Sequence, residues 1–253
     1  MKLTLLGTGT SCGVPVIGCQ CEVCRSEDPR DKRTRCSALV ETETTRILID
    51  CGPDFRQQIL PLPFLPFDAI LLTHIHYDHV SGLDDLRSFC KFGEQHIYAD
   101  ANTIEQLIIK LPYCFKEHLY PGVPLLSVHN IVPYQSFQVK DLEVMPIEVM
   151  HGKMPIIGYR IGKLAYITDM KTISDEALRH LEGVEVLVIN ALRFDRPHHS
   201  HQLVDDAVEI SRQIGAKRTY LIHVTHDIGL HDEANSRLPE GFEFPYDGKE
   251  IEI

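Results

Sequence analysis

Three imidazoles and a carboxylate, His74, His76, Asp78 and His79, fall within six residues directly after the apolar stretch 69–72. No other feature of the chain restricts its fold as strongly. AILL followed by THIHYDH reads as a short buried strand turning into a helix, and a loop at such a turn can fold all four polar side chains inward. Imidazole nitrogens and carboxylate oxygens suit zinc, manganese or iron, and four of them exceed what one tetrahedral ion with an open position can use. Two divalent ions are therefore expected, and other strand ends must meet this loop. A histidine-rich surface turn without metal has few structural uses.

The rest of the pattern supplies such ends. Residues 2–6 read as a strand that breaks into GTGTS, followed by a polar, cysteine-bearing loop to about residue 35. Stretches 37–40 and 46–50 read as a hairpin, 81–89 and 101–110 as helices, and 142–150, 156–161 and 164–168 as strands. Helix 174–181, strand 184–189, helix 202–214 and strand 218–222 then alternate. His151, Asp169 and His223 each follow one of these apolar runs at its carboxyl end. Two β-rich halves, each closing with helices, favour two sheets packed face to face with helices outside, in one domain spanning residues 1–253. The stretch 111–133, carrying Pro112, Pro121, Pro124 and Pro133, reads as an irregular connection, with a surface insertion or lid as the alternative.

Charge narrows the partners. The chain carries 25 basic and 36 acidic side chains, a formal net charge of −11. Polyanion binding rests on basic groups displacing counterions, so a broad nucleic-acid surface is disfavoured and an anionic substrate needs a local positive site. The densest basic stretch, residues 25–35, holds Arg25, Arg30, Lys32, Arg33 and Arg35, but Glu27, Asp28 and Asp31 dilute it to +5 − 3 = +2, and it reads as a solvated loop. No run approaches the roughly 20 apolar residues of a membrane span, and no signal peptide is visible, so a cytoplasmic protein without membrane contact is expected. Eight cysteines in such a chain point to reduced thiols or bound metal rather than disulfides. Cys19, Cys21 and Cys24 cluster; Cys12, Cys36, Cys51, Cys90 and Cys114 show no spacing signal and read as buried thiols.

The H-x-H-x-D-H run formed by His74, His76, Asp78 and His79 resembles the metallo-β-lactamase superfamily, and His151, Asp169 and His223 match its later ligands in order. More narrowly, GTGTSCGVPVIGCQCEVC, LIDCGPDF, YITDM, LIHVTH and LPEGFEFPYDG resemble the PhnP-type phosphodiesterases, which act on phosphoribosyl 1,2-cyclic phosphate. The resemblance implies a four-layer αββα sandwich of the α/β class. It implies that His74, His76 and His151 bind one ion and Asp78, His79 and His223 a second, with Asp169 bridging. It also implies that a metal-bridging hydroxide attacks a small phosphodiester. Asp78 can in addition orient the water, and His201 resembles the non-ligand active-site histidine, whose near-neutral pKa suits a general acid. His198 and His199 read as surface residues. His226 resembles the fourth ligand of a structural zinc completed by Cys19, Cys21 and Cys24.

Two dications and two aspartates leave about +2 at the centre, the positive site that the composition lacks. The leading expectation is hydrolysis of a small, cyclic ribosyl phosphodiester with two Mn2+ or Zn2+ ions, and a homodimer is left open. A transfer-RNA 3′-end nuclease of the same superfamily needs a basic clamping arm that the sequence does not show. A thioester or lactam hydrolase explains neither the cysteine cluster nor His201. A metal-dependent carrier without turnover would not need His201.

Overall fold

The structure, a computed structural model, describes residues 1–115 and 122–253. Its first sheet runs in chain order through β1 (Lys2–Gly7), β2 (Ser37–Glu41), β3 (Arg46–Ile49), β4 (Ala69–Leu71), β5 (Gln95–Ala99) and β6 (Leu126–Asn130). The second contains β7 (Phe137–Val139), β8 (Leu142–His151), β9 (Met154–Ile161), β10 (Leu164–Ile167), β11 (Val186–Asn190), β12 (Arg218–Ile222) and β13 (Phe242–Glu243). Strand β14 (Lys249–Glu252) returns to the first sheet and pairs antiparallel with β1.

Each sheet begins antiparallel and becomes parallel, from β3 to β6 and from β10 to β13. Parallel neighbours need crossovers, and helices supply them. After α1 (Glu22–Arg25) in the amino-terminal loop come α2 (Phe55–Ile59), α3 (Tyr77–Val80) and α4 (Ala101–Lys110) on the first sheet. The crossovers of the second sheet are α5 (Asp175–His180), α6 (Val204–Ile214) and α7 (His231–Ser236). Strands buried on both faces explain the continuous apolar runs RILI, AIL and VLVIN. Val40, Ile47, Tyr159 and Val188 pack between the sheets. Leu39, Leu48 and Ile70 face Phe55, Leu83 and Leu107, while Ile167, Leu187 and Leu221 face Ala177, Val204 and Ala207. The architecture is the expected αββα sandwich.

Several local expectations change. Residues 81–89 do not form an α-helix: after α3, a 3₁₀ helix spans Leu83–Phe92. Leu83, Leu86 and Phe89 are buried at intervals of three, which suits three residues per turn rather than 3.6. The stretch 111–133 is not wholly irregular, because β6 forms the sheet edge within it; residues 116–121 lie outside the described ones. The basic stretch 25–35 is not simply solvated. Arg33 is buried, donating to Thr8 Oγ1 at 2.8 Å and to the Pro245 carbonyl at 2.5 Å. Of the thiols without a spacing signal, Cys36, Cys51 and Cys114 are buried, whereas Cys12 is exposed and Cys90 partly so. Cys12 stands in the turn closed by the Gly13 amide on the Thr10 carbonyl. No helix among the described residues is long and apolar enough to cross a membrane.

At the end of β4 the sheets bond directly. Tyr159 of β9 donates its hydroxyl to the Leu72 carbonyl at 2.6 Å, and the Ile157 amide bonds the Thr73 carbonyl at 2.9 Å. These contacts fix the strand end that delivers His74. Replacing Tyr159 with Phe leaves a buried carbonyl short of a partner, so unfolding free energy should fall by about 1–2 kcal/mol. Calorimetry should show a melting temperature roughly 2–8 °C lower, at about 2–4 °C per kcal/mol for a chain of this size.

Candidate metal centre

The candidate ligands stand at strand ends along one edge of the two sheets. His74, His76, Asp78 and His79 follow β4, Asp169 follows β10, His223 follows β12, and His151 closes β8. Close approach is built in at Gly52, where a Cβ would meet the Asp78 carbonyl at 2.0 Å. Asp50, Asp169 and His223 hold left-handed φ values of 59°, 57° and 55°. Such conformations cost energy in residues other than glycine and persist where the surroundings fix them.

Asp78, His79, Asp169 and His223 offer ligand atoms that all lie within 4.8 Å of one another. His79 Nε2 is 3.2 Å from both Asp78 Oδ2 and Asp169 Oδ2, and His223 Nε2 is 3.0 Å from Asp169 Oδ1. Two atoms each about 2.0–2.1 Å from a tetrahedral ion lie roughly 3.3–3.4 Å apart, so this spacing fits a shared cation. His79 Nε2 and His223 Nε2 are buried without a hydrogen-bond partner. Buried polar atoms are normally satisfied, and a cation among the carboxylates would satisfy these two. Asp169 reaches toward His79 with one oxygen and toward His223 and His201 with the other, and it also lies within ligand range of His151.

His74, His76 and His151 pack beside this cluster. His74 Nε2 faces His76 Nδ1 at 3.0 Å, and the His151 ring centre lies 5.7 and 5.1 Å from theirs. His151 Nδ1 donates to the Asp169 carbonyl at 2.6 Å, which leaves Nε2 as its free lone pair.

Two further residues, not distinguished by the motifs, support the ligands. Asp50, wholly buried, accepts from His79 Nδ1 at 2.7 Å and from the Thr73 amide and hydroxyl, and that hydroxyl meets His74 Nδ1 at 3.0 Å. It thereby orients two of the histidines. The strand-end rule that singled out Asp169 applies equally to Asp50 after β3. Asn190, at the end of β11, exchanges two hydrogen bonds with the Met170 backbone and so holds the segment carrying Asp169.

His201 Nε2 lies 3.1 Å from Asp169 Oδ1. Burial pushes its imidazole down to about 4 despite the carboxylate, below the near-neutral value the acid role called for. His199 is exposed as expected, but His198 is half-buried and its Nδ1 stands 3.0 Å from His201 Nδ1, so it is not a mere surface residue. Burial works against the His223 cation as well, yet Asp169 and Asp78 outweigh it and hold the imidazole up at about 9. The cysteine cluster forms separately: Cys19, Cys21 and Cys24 place their sulfurs 3.4, 3.1 and 3.4 Å from His226 Nδ1. That arrangement fits a closed tetrahedral site.

A sequence model of the beta-lactamase superfamily domain matches residues 45–224. An octanoyltransferase of Porphyromonas gingivalis is 48% identical over 254 residues, which cover 100% of this chain and 52% of that protein; the chain thus spans about half the length of this relative. The crystal structure of a diphosphatase from the PhnP family superposes with a TM-score of 0.91 at 38% identity, covering 99% of this chain and 96% of that one. The short form of human tRNase Z shares the fold, with a TM-score of 0.75 at 18% identity over 100% and 99% of the two chains.

Three outcomes follow for the cluster. Asp50→Asn removes the carboxylate behind His79 and should weaken divalent-metal binding about 10–100-fold, read by calorimetric titration. A ligand imidazole must lose its proton, so metal affinity should climb about tenfold per pH unit for each proton displaced, levelling off only above about pH 9, where His223 of the free chain is itself losing its proton. In the metal-free chain the sign reverses. The raised His223 stabilises the fold fully below pH 6.5, and that contribution disappears as pH rises through about 9, which thermal melts across the range would detect.

Proposed function

The chain belongs to the metallo-β-lactamase superfamily, and from that premise we propose that it is a metal-dependent hydrolase of small phosphodiesters, with a cyclic ribosyl phosphate as the leading substrate class. The observation that carries the reading is the convergence of Asp78, His79, Asp169 and His223 around buried nitrogens that have no other partner. His74, His76 and His151 would hold one divalent ion, and Asp78, His79 and His223 a second, with Asp169 between them. Bound there, Mn2+ or Zn2+ would acidify water and neutralise phosphate oxygens.

The chain's own groups do the rest. Asp78 accepts a hydrogen bond from the attacking water and aims it. As the new P–O bond forms and the old one breaks, His201 protonates the departing alkoxide from Nε2, leaving a monoester and an alcohol. At a pKa of about 4 the ring is neutral at pH 7 in the free chain, so the acid form is recruited by the negative charge of the substrate. Cys19, Cys21, Cys24 and His226 would hold a structural zinc away from the chemistry.

Cleavage of a diphosphate bond is the second reading, favoured by the activity named for the PhnP-family structure. Nuclease action finds less support. Arg30 is paired with Asp28 and Asp232, Arg33 is buried, and Arg35 is paired with Asp54, so three of the five basic side chains in the densest basic stretch are engaged within the molecule. Octanoyl transfer is named for a relative nearly twice as long, and an octanoyl thioester therefore belongs in the test.

Turnover should be compared, with manganese and with zinc, on bis(p-nitrophenyl) phosphate, a 2′,3′-cyclic nucleotide, a ribosyl 1,2-cyclic phosphate, a nucleoside diphosphate ester, precursor transfer RNA and an octanoyl thioester. Phosphodiesters should lead, and turnover confined to the thioester or to RNA would overturn the proposal. Asp169→Ala should lose most activity and at least one ion by metal analysis. His201→Ala should keep its metals and slow alkyl-leaving-group substrates by about 10²–10⁴, with a much smaller effect on nitrophenyl esters. Equal losses on both would remove the acid role.

A further inference from the structure

We propose that Asp227 is a positioning residue that latches the loop carrying His201 to the cysteine cluster, so that the state of the cluster sets the order of the loop. The catalytic consequence rests on the acid role given to His201 above. Residues 193–201 leave β11 and return before α6 with no helix or strand of their own. The base of the loop is closed by backbone bonds from the Leu192 amide to the Gln202 carbonyl and from the Val204 amide to the Arg193 carbonyl, both 3.1 Å. Within it, Arg193 Nε donates to the Asp195 and Arg196 carbonyls at 3.0 and 2.9 Å, and Arg196 takes a left-handed φ of 57°.

The two guanidinium groups leave the loop in one direction. Arg196 Nη2 meets Asp227 Oδ2 at 2.6 Å, and Arg193 Nη1 lies 3.6 Å from the same oxygen. The loop is also tethered by Lys171 Nζ on the His201 carbonyl at 3.1 Å, by His151 Nδ1 on the Ser200 carbonyl at 3.1 Å, by His201 Nε2 facing Asp169 Oδ1 at 3.1 Å, and by the Phe194 ring, packed between Phe244 and the Arg237 guanidinium. Asp227 directly follows His226, whose ring touches the three thiols, and its amide bonds Thr225 Oγ1 at 3.2 Å. Thr225 in turn bonds the Leu192 carbonyl at the base of the loop, through its amide at 3.0 Å. Wherever His226 is held, the Asp227 carboxylate is held with it, and both arginines have a fixed anchor. A partly exposed ion pair adds little to global stability, so its effect belongs to local opening.

The test uses the full chain loaded with metal and reads hydrogen exchange of backbone amides 193–201 by mass spectrometry. Asp227→Asn should keep every metal and speed exchange there about fivefold, the effect of losing a contact of ~1 kcal/mol. Cys21→Ser should lose one zinc and speed the same amides. The double variant should exchange no faster than Cys21→Ser alone, because both changes release one latch. Unchanged exchange in Asp227→Asn, or multiplied effects in the double variant, would overturn the latch. If Cys21→Ser does not fold, Arg196→Gln removes the other half of the pair and must match Asp227→Asn, or the proposal falls. Kinetics separate the two claims: Asp227→Asn should slow alkyl-leaving-group substrates more than nitrophenyl esters. Faster exchange with no change on either substrate keeps the latch and removes the acid role of His201.

Discussion

A carboxylate buried without any exposure governs the arrangement of this molecule. Asp50 stands at the end of β3, among apolar residues of both sheets, and an unpaired charge there would be very costly. Its oxygens are satisfied by the Thr73 amide, the Thr73 hydroxyl and the ring of His79. Each of these partners belongs to the loop after β4. Satisfying one buried charge therefore docks the whole His74–His79 segment against β3, and the ring nitrogen left over on His79 can point only toward Asp78 and Asp169. The buried charge is tolerated because its partners are complete, and the same completeness gives the loop one conformation.

Topology carries the effect across the sandwich. Parallel strands place their carboxyl ends at one edge, and the strands that bear Asp50, His74, Asp169 and His223 all belong to the parallel parts of the two sheets. Ligands in open α/β sheets gather at such ends. Left-handed backbone at Asp50, Asp169 and His223 turns the chain sharply just where it leaves a strand, aiming side chains into the cleft instead of along the sheet. This strain is sustained by the three apolar layers behind it.

The sequence revealed those parts of the design that repeat a period or break one. Apolar runs ending in a single polar residue exposed His151, Asp169 and His223, and strands buried on both faces stood out as uninterrupted hydrophobic stretches. Short edge strands did not: β7 and β13, three and two residues long, hold position through their neighbours rather than through their own pattern. The 3₁₀ segment is not legible as such, because Leu83, Leu86 and Phe89 fit a loose α-helical stripe almost as well as a three-residue period. Asp50 satisfies the same strand-end rule as Asp169, but its role behind His79 shows only once the fold brings the two together. Arg33 is hidden for a different reason: a charge in a polar loop looks solvated, and only tertiary contacts with Thr8 and Pro245 show otherwise.

The amino-terminal loop between β1 and β2 has the least apolar support. Its own buried cluster is only Val14, Val23 and Cys24, with a few partly buried neighbours. So small a core cannot offset the conformational entropy of ordering some thirty residues, at about 1–2 kcal/mol each for the backbone. The loop is held instead by polar ties to the far end of the chain: Arg33 on the Pro245 carbonyl, Asp31 on the His231 amide, Asp247 on Thr8 and Thr34, and the three thiols around His226. All of these anchors lie beyond residue 222, in the stretch that begins with His223. Ordering the loop and ordering that stretch are one event, so the residue types that look peripheral in sequence are what hold the last strand-end histidine in the cleft.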